Sequence, residues 1–113
     1  MKIKASRLAD TVHRTQATIS FADDDGQKQS QEITILFRGM SPRVSRDLLA
    51  AQIGDTDRVE MARFLAAAVR ELPEVVDEDE RPVPVTFEFF DAMEIANLTA
   101  IFNAVQEGYN PNA

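Results

Sequence analysis

Two segments with period-two alternation limit the folds open to this chain more than any other feature of its sequence. Residues 17–21 and 32–38 alternate apolar and polar side chains and are rich in β-branched and aromatic residues, which is typical of half-buried strands. Between them, Asp25-Gly26 supplies residues that tolerate the positive φ angles of a tight turn. The pattern predicts an antiparallel β-hairpin over residues 17–38.

One face of this hairpin is apolar and has to be covered. Ile33, Ile35 and Phe37 alternate along the second strand, and Ile19 and Phe21 extend the same strip on the first strand. A two-stranded hairpin is marginally stable on its own. We therefore expect this face to pack on helices or on a second copy of the hairpin.

Residues 41–72 carry the signals of two helices. Ser41-Pro42 provides a capping hydroxyl and a first-turn proline for a helix that runs to Ile53. Apolar side chains then recur at spacings of three and four up to Leu72, which predicts an amphipathic second helix. The residues expected to close the first helix and cap the second are Gly54, Asp55, Thr56 and Asp57.

The rest of the chain divides into a connector and a closing helical segment. Residues 73–85 are acidic and contain several prolines, which predicts an extended, solvated connector. Thr86 is a cap for a helical segment over residues 86–108, and periodicity leaves open whether Met93-Glu94 breaks or bends it. Residues 1–16 show no clear period and are expected to form a loose arm.

These segments predict a single α+β domain over residues 1–113. The N-terminal antiparallel hairpin packs on a mainly α-helical C-terminal part with three to four helices. The length of 113 residues and the 44% of apolar residues suit one hydrophobic core.

Charge and composition exclude several classes of protein. The net charge of −7 disfavours nucleic-acid binding, and no apolar run is long enough for a membrane span or a signal peptide. The chain has no cysteine, so disulfides and thiolate chemistry are absent. The charge is uneven: residues 1–53 sum to +2 and residues 54–113 to −9. A basic partner is therefore expected to approach the C-terminal half.

No catalytic or metal-binding pattern emerges from the residues. The run Asp23 to Gly26 has turn chemistry and lacks the ligand spacing of an EF-hand, and residues 77–80 are interpreted as a solvated acidic surface. His13 has no identifiable nucleophile or orienting partner beside it in the sequence. We expect a protein that is not an enzyme and that needs no cofactor and no metal.

Two segments of the C-terminal half resemble a known family. Residues 75–86, read as a valine pair, an acidic turn, a proline, Val-Pro-Val and a threonine, resemble a stretch of the tail assembly chaperones of long-tailed bacteriophages. Residues 100–107 and Asn110-Pro111 are similar to the closing helix of that family and its Asn-Pro end. The resemblance covers residues 31–113, and proteins of that family often have a glycine in the acidic turn where this chain has Glu80-Arg81.

The resemblance implies a non-catalytic chaperone that binds the tape measure protein, keeps it soluble and supports polymerisation of the tail tube. In that family a longer form made by frameshifting recruits the tail tube protein, and this chain would be the short form. It would act in the cytoplasm of the bacterial host, be encoded by a phage or prophage, and be absent from the mature virion. The alternatives are another small phage structural or head-tail joining protein, or a generic cytosolic adaptor.

For such a role we expect apolar faces of the hairpin and helices to form a groove for an amphipathic helix of the partner. The exposed edge of the second strand also favours a homo-oligomer. The candidate protein-interaction residues are Phe37, Phe64, Leu65, Phe87, Phe90, Leu98, Ile101 and Phe102. The helical members of this set, together with Val44 and Leu48, are expected to divide between the core and the groove.

Overall fold

The computed structural model describes residues 1–9, 11–53 and 58–109 of the chain. A three-stranded antiparallel sheet in the order β1-β2-β3 packs against the helices, so the fold is α+β as predicted. Among the described residues, no helix is long and apolar enough to cross a membrane. The elements are α1 (Ala5–Ala9), β1 (Val12–Ala22), β2 (Lys28–Arg38), α2 (Pro42–Ile53), α3 (Arg58–Ala68), β3 (Val69–Glu71), α4 (Phe87–Asp91) and α5 (Ile95–Tyr109).

Strands β1 and β2 pair along their whole length, with Ala17 opposite Ile33 and His13 opposite Phe37. Directly opposed residues share a face of an antiparallel pair. The face that carries Ala17, Ile33, Ile35 and Phe37, called the inner face below, is buried at all four positions. The opposite, outer face carries polar side chains such as Arg14 and is largely exposed. Of the predicted apolar strip, Ile33, Ile35 and Phe37 form the surface on which the helices pack, whereas Ile19 is half-buried and Phe21 is 43% exposed.

Helix α5 covers the inner face and runs antiparallel to β1. At its start, the Asn97 side chain makes two hydrogen bonds of 2.8 Å with the backbone of Ser20. At its end, the Tyr109 hydroxyl donates to the carbonyl oxygen of Arg38. The Phe37 ring lies between His13, stacked at 5.4 Å, and Tyr109, edge-on at 5.0 Å. These contacts fix both ends of the helix against the hairpin.

One hydrophobic core joins the sheet to α2, α3, α4 and α5. Its buried apolar residues come from every one of these elements. Helix α3 contributes its face at Met61, Phe64 and Leu65, and the Phe64 ring meets Phe102 of α5 edge-on at 5.5 Å. The helices predicted from spacing therefore bury the apolar faces that the spacing indicated.

The hairpin is longer than predicted, and this corrects the description of residues 1–16 as a loose arm. Strand β1 begins at Val12, and residues 5–9 form the short helix α1. Residues 12–16 have exposed or half-exposed side chains, so they show no apolar period. They belong to β1 because their backbone pairs with the C-terminal half of β2, up to Val12 opposite Arg38.

A second correction concerns the end of the long helix. The prediction continued it to Leu72, but the chain leaves α3 at Ala68 and forms β3, which pairs with β2 at Leu36 and Phe37. The Arg38 guanidinium donates to the carbonyl oxygens of Val69 at 2.9 Å and Ala67 at 3.5 Å. The strand pairing with β2, and the Arg38 guanidinium at the C-terminus of α3, take the place of the hydrogen bonds of a further helical turn. The predicted caps at residues 54–57 lie outside the described residues.

The closing segment consists of two helices with a break between them. Thr86 caps α4, since its hydroxyl accepts a hydrogen bond from the backbone N–H of Phe89 at 3.3 Å. Residues 92–94 are not helical, which settles the question of whether the segment breaks or bends. Arg58 of α3 donates to the carbonyls of Asp91 and Met93 at this break and lies 3.5 Å from the Asp91 carboxylate.

The hairpin tip and the acidic connector contain the same turn. The Asp23 carboxylate accepts from the backbone N–H groups of Asp25 and Gln27 at 3.0 and 2.9 Å. The Asp77 carboxylate accepts from the residues two and four positions further on, at 2.8 and 3.0 Å. The fourth residue has a positive φ in both turns: 76° at Gly26 and 60° at Glu80. The connector therefore folds back on itself without a glycine, and Val76 bridges Pro82 across it.

The two turns provide a matched test of backbone strain. A side chain at positive φ costs about 1–2 kcal/mol, partly offset by the greater freedom of glycine in the unfolded chain. We expect Glu80→Gly to raise the free energy of unfolding by about 0.5–1 kcal/mol and Gly26→Ala to lower it by about 1 kcal/mol. Urea denaturation of both variants measures this, and a loss of stability in Glu80→Gly would contradict it.

Gly108 permits the close contact between α5 and the sheet. A Cβ atom at this position would lie 2.6 Å from Cζ of Phe37. We expect Gly108→Ala to lower the free energy of unfolding by about 1 kcal/mol, since overpacking costs about 1–3 kcal/mol and alanine's helix propensity returns less than about 1 kcal/mol. In a Phe37→Leu background, where the ring is gone, the same substitution should cost less. Equal costs in both backgrounds would exclude this contact as the cause.

Candidate functional site

Seven of the eight predicted interaction residues lie in the core of the chain. Each is at most 5% exposed, although Ile101 also lines an open apolar cavity. They hold the sheet and the helices together because they occupy the centres of the apolar faces, where burial is most complete. The seven are Phe37, Phe64, Leu65, Phe90, Leu98, Ile101 and Phe102.

The eighth, Phe87, is half-buried at the start of α4. The two other phenylalanines of α4 point in different directions, as adjacent residues of a helix do. Phe90 is buried in the core, while Phe89 is half-buried and packs edge-on against Phe90 at 5.1 Å. The aromatic cluster of α4 therefore supplies one core residue and two residues at the border between core and surface.

An apolar groove opens beside this cluster and is the candidate functional site. Its central cavity has a volume of about 170 Å³ and lies between the inner face of the hairpin, the start of the connector and the break between α4 and α5. Its lining is apolar except for one amide side chain. The groove residues are Ile19, Ile33, Leu72, Val75, Phe89, Met93, Asn97 and Ile101.

The groove continues toward the hairpin tip as a shallower depression of about 300 Å³. Ile19, Ile33 and Val75 line both parts, so the two form one surface. Phe21 and Val76 extend it toward solvent, where they are 43% and 49% exposed. Apolar side chains grouped at an open concave surface are typical of sites that bind other proteins.

Two side chains hold the walls of the groove to the hairpin. Asn97 bonds the backbone of Ser20 at the free edge of β1, as a neighbouring strand would. On the other side, the Glu74 carboxylate accepts a hydrogen bond from the backbone N–H of Thr34 on β2. These hydrogen bonds join both walls of the groove to the hairpin.

Acidic side chains surround this apolar surface. Glu74 lines the outer part of the groove, and Glu94 lies with Phe21 at the side of the hairpin tip. Desolvation alone would raise the pKa of Glu74, but hydrogen bonds from the Thr34 backbone and hydroxyl, together with the nearby charge of Arg14, outweigh it and hold this pKa below its ordinary value. The carboxylate therefore stays ionised at the wall of the groove at neutral pH.

The side chains that could serve in catalysis or metal binding make contacts that stabilise the fold. The carboxylates of Asp23 and Asp77 close their own turns, and His13 stacks on Phe37. Burial raises the pKa of Tyr109 to about 12, in keeping with a phenol that donates to a backbone carbonyl. In the described part of the chain, no cluster of three histidine or acidic side chains is placed to hold a metal ion.

The sequence pattern does not predict the groove, because the strongest apolar positions mark the core. Of its lining, Ile101 alone was among the predicted interaction residues. Val75 and Met93 lie where regular structure stops, next to a proline-bounded connector and at the break between two helices. Apolar residues at such interruptions are the signal that points to this surface.

Comparison with known protein families, with characterised proteins and with solved structures finds no match for this chain.

Glu74 offers a pH-dependent test of the groove wall. A carboxyl whose pKa is lowered by folding contributes stability above its unfolded pKa, and that contribution is lost as the pH falls through the folded pKa. We expect Glu74→Gln to lower the free energy of unfolding by about 0.5–1 kcal/mol at pH 7 and by less as the pH falls below 4.5, the ordinary value. Glu78→Gln, on the exposed acidic turn, is the matched control. An equal effect of both variants would exclude the bond to Thr34 as the cause.

Proposed function

We propose that this chain is a non-catalytic protein-binding module whose apolar groove receives an amphipathic helix of another protein. The observation that carries the proposal is the continuous, mainly apolar surface from Met93 and Phe89 to Val76 and Phe21, whose walls are hydrogen-bonded to the hairpin. A helix in a groove buries one apolar stripe and leaves its polar face in water. The groove offers an apolar floor for such a stripe.

The charges around the groove favour a basic client. Residues 54–113 carry a net charge of −9, and the acidic turn at residues 77–80 follows directly on the groove wall. A helix with lysine or arginine beside its apolar stripe would place these charges near Glu74, Glu94 and the acidic turn. Such complementarity speeds association and discriminates among partners.

The resemblance of residues 31–113 to tail assembly chaperones supports a specific client. On that basis we assign the chain to the assembly of a long phage tail, where it binds the tape measure protein, keeps it soluble and supports polymerisation of the tail tube protein. The resemblance implies that such a chaperone covers the hydrophobic helices of the long tape measure protein before and during polymerisation of the tube. In this role the chain acts in the cytoplasm of the bacterial host and leaves before the virion matures.

The test is co-expression with the tape measure protein of the phage or prophage that encodes the chain. We expect the tape measure protein to become soluble and to co-purify with it. The double variant Phe21→Ser/Val76→Ser removes about 2 kcal/mol of apolar burial and should weaken binding by about 30-fold. Leu49→Ser is the matched control, because Leu49 is 55% exposed on α2, outside the groove.

Three results would contradict the proposal in distinguishable ways. If the tape measure protein is equally insoluble with and without the chain, it is not the client. Equal loss of binding in Leu49→Ser and in the double variant removes the groove as the binding surface. Recovery of the chain from purified particles would favour a structural or head-tail joining protein instead.

A further inference from the structure

The two outer edges of the β1-β2 hairpin differ in how they are closed. Beside β1, Asn97 of α5 bonds both the N–H and the C=O of Ser20. Beside β2, strand β3 pairs with Leu36 and Phe37, and Glu74 accepts from the N–H of Thr34. Beyond Thr34, toward the tip, no described residue bonds the outer edge of β2. Residues 28–32 are all exposed there.

The direction of the backbone groups on this open edge follows from the bonds already made. Ser20 turns its N–H and C=O away from β2, toward Asn97, and it lies directly opposite Ser30. In an antiparallel pair, two directly opposed residues either both point their N–H and C=O groups toward each other or both point them away from each other. Ser30 therefore points its N–H and C=O outward, as do Lys28 and Glu32, two residues away on either side. The edge presents three unpaired residues in register.

The segment from Lys28 to Glu32 is complementary to the same segment of a second copy that runs in the opposite direction. When two copies of β2 meet antiparallel about Ser30, each Ser30 opposes the other, and each Lys28 opposes Glu32 of the other copy. All three are outward-pointing positions, so every opposed pair exchanges both backbone hydrogen bonds, about six in all. The lysine and glutamate also lie on the same face, where opposite charges stabilise a cross-strand pair.

We propose that residues 28–32 of β2 are a homodimerisation edge, at which the β2 strands of two copies pair about a two-fold axis between the two Ser30 residues, so that the two hairpins form one sheet in the order β1-β2-β2-β1. Within one chain Lys28 opposes Ala22 and Glu32 opposes Thr18, so neither charge has an oppositely charged partner across the hairpin. The second copy supplies it. This pairing uses the edge alone and stands independently of what the groove binds.

Charge reversal tests the register. We expect sedimentation equilibrium from about 1 μM to about 1 mM to show a monomer–dimer equilibrium for the wild-type chain, the range in which modest interfaces dissociate. Lys28→Glu or Glu32→Lys alone sets like charges opposite each other at two symmetric places and should raise the dissociation constant by about tenfold or more. The double variant Lys28→Glu/Glu32→Lys restores both pairs and should return the constant to within about threefold of wild type.

A cross-link tests the position of the axis. The natural chain contains no cysteine, so Ser30→Cys introduces a single thiol on the two-fold axis. Directly opposed, hydrogen-bonded residues have Cα atoms about 5.5 Å apart, within the range of about 4.4–6.8 Å that a disulfide spans. We expect a glutathione redox buffer to convert this variant to a covalent dimer. Ser45→Cys, exposed on α2, is the matched control and should stay largely monomeric at the same concentration.

Each outcome bears directly on the proposal. Dimerisation that is weakened by the single reversals, restored by the double variant and trapped as a disulfide in the Ser30→Cys variant supports it. A wild-type chain that stays monomeric over the whole range overturns it, as does a dimer that is indifferent to both reversals or that cross-links equally in the two cysteine variants. Far-UV circular dichroism and thermal unfolding of the variants at low concentration confirm that the monomer fold is intact.

Discussion

The packing of α5 on the inner face of the hairpin is the interaction on which the rest of the structure depends. At its C-terminal end, the Phe37 ring fills the space between His13, Tyr109 and the bare backbone of Gly108. Strand β3 pairs with the same residue of β2. The ring therefore joins hairpin, third strand and closing helix at one point, and the core spreads from there through Phe64 and Phe102.

The lengths of the packed elements explain why the opposite end of the hairpin stays open. A helix rises about 1.5 Å per residue and a strand about 3.3 Å, so the 15 residues of α5 span about 22 Å and the 11 residues of β1 about 36 Å. With its end held at Arg38 and its start at Ser20, α5 leaves the tip uncovered. The outer part of the groove, at Phe21, lies beyond the start of α5, and its central part lies next to the break between α4 and α5.

The sequence predicts the elements that have a strong local signal. The hairpin, the helix Pro42–Ile53 and the Thr86 cap follow from alternation, capping residues and helical spacing. The start of β1 and the whole of β3 have no such signal, since Val12–Gln16 are held by pairing with β2 and Val69–Glu71 by a contact between distant segments. Tertiary pairing overrides the helical pattern that continues to Leu72.

The candidate site was harder to predict than the fold for a related reason. Strong apolar periodicity marks residues that are certain to be buried, so it selects the core; Phe64, Leu65 and Leu98 show this. A binding surface consists of apolar residues that the fold fails to bury, and which ones these are depends on where the covering elements stop. Val75, Val76 and Met93 border such stops, and their exposure follows from the length of α5 and from the return of the connector at Asp77.

The groove and the proposed dimer edge can be occupied at the same time. Side chains project perpendicular to the sheet, whereas backbone hydrogen bonds lie in its plane. Ile19, Phe21, Gln31 and Ile33 project into the groove, whereas the edge uses the backbone of Lys28, Ser30 and Glu32, whose side chains lie on the outer face. A two-fold axis between antiparallel strands is perpendicular to the sheet, so both inner faces of a pair point to the same side. Phe21 and Gln29 of one copy then align with Gln31 and Ile19 of the other. In the proposed dimer the two grooves are neighbours on one surface, which suits a proposed client helix longer than a single groove.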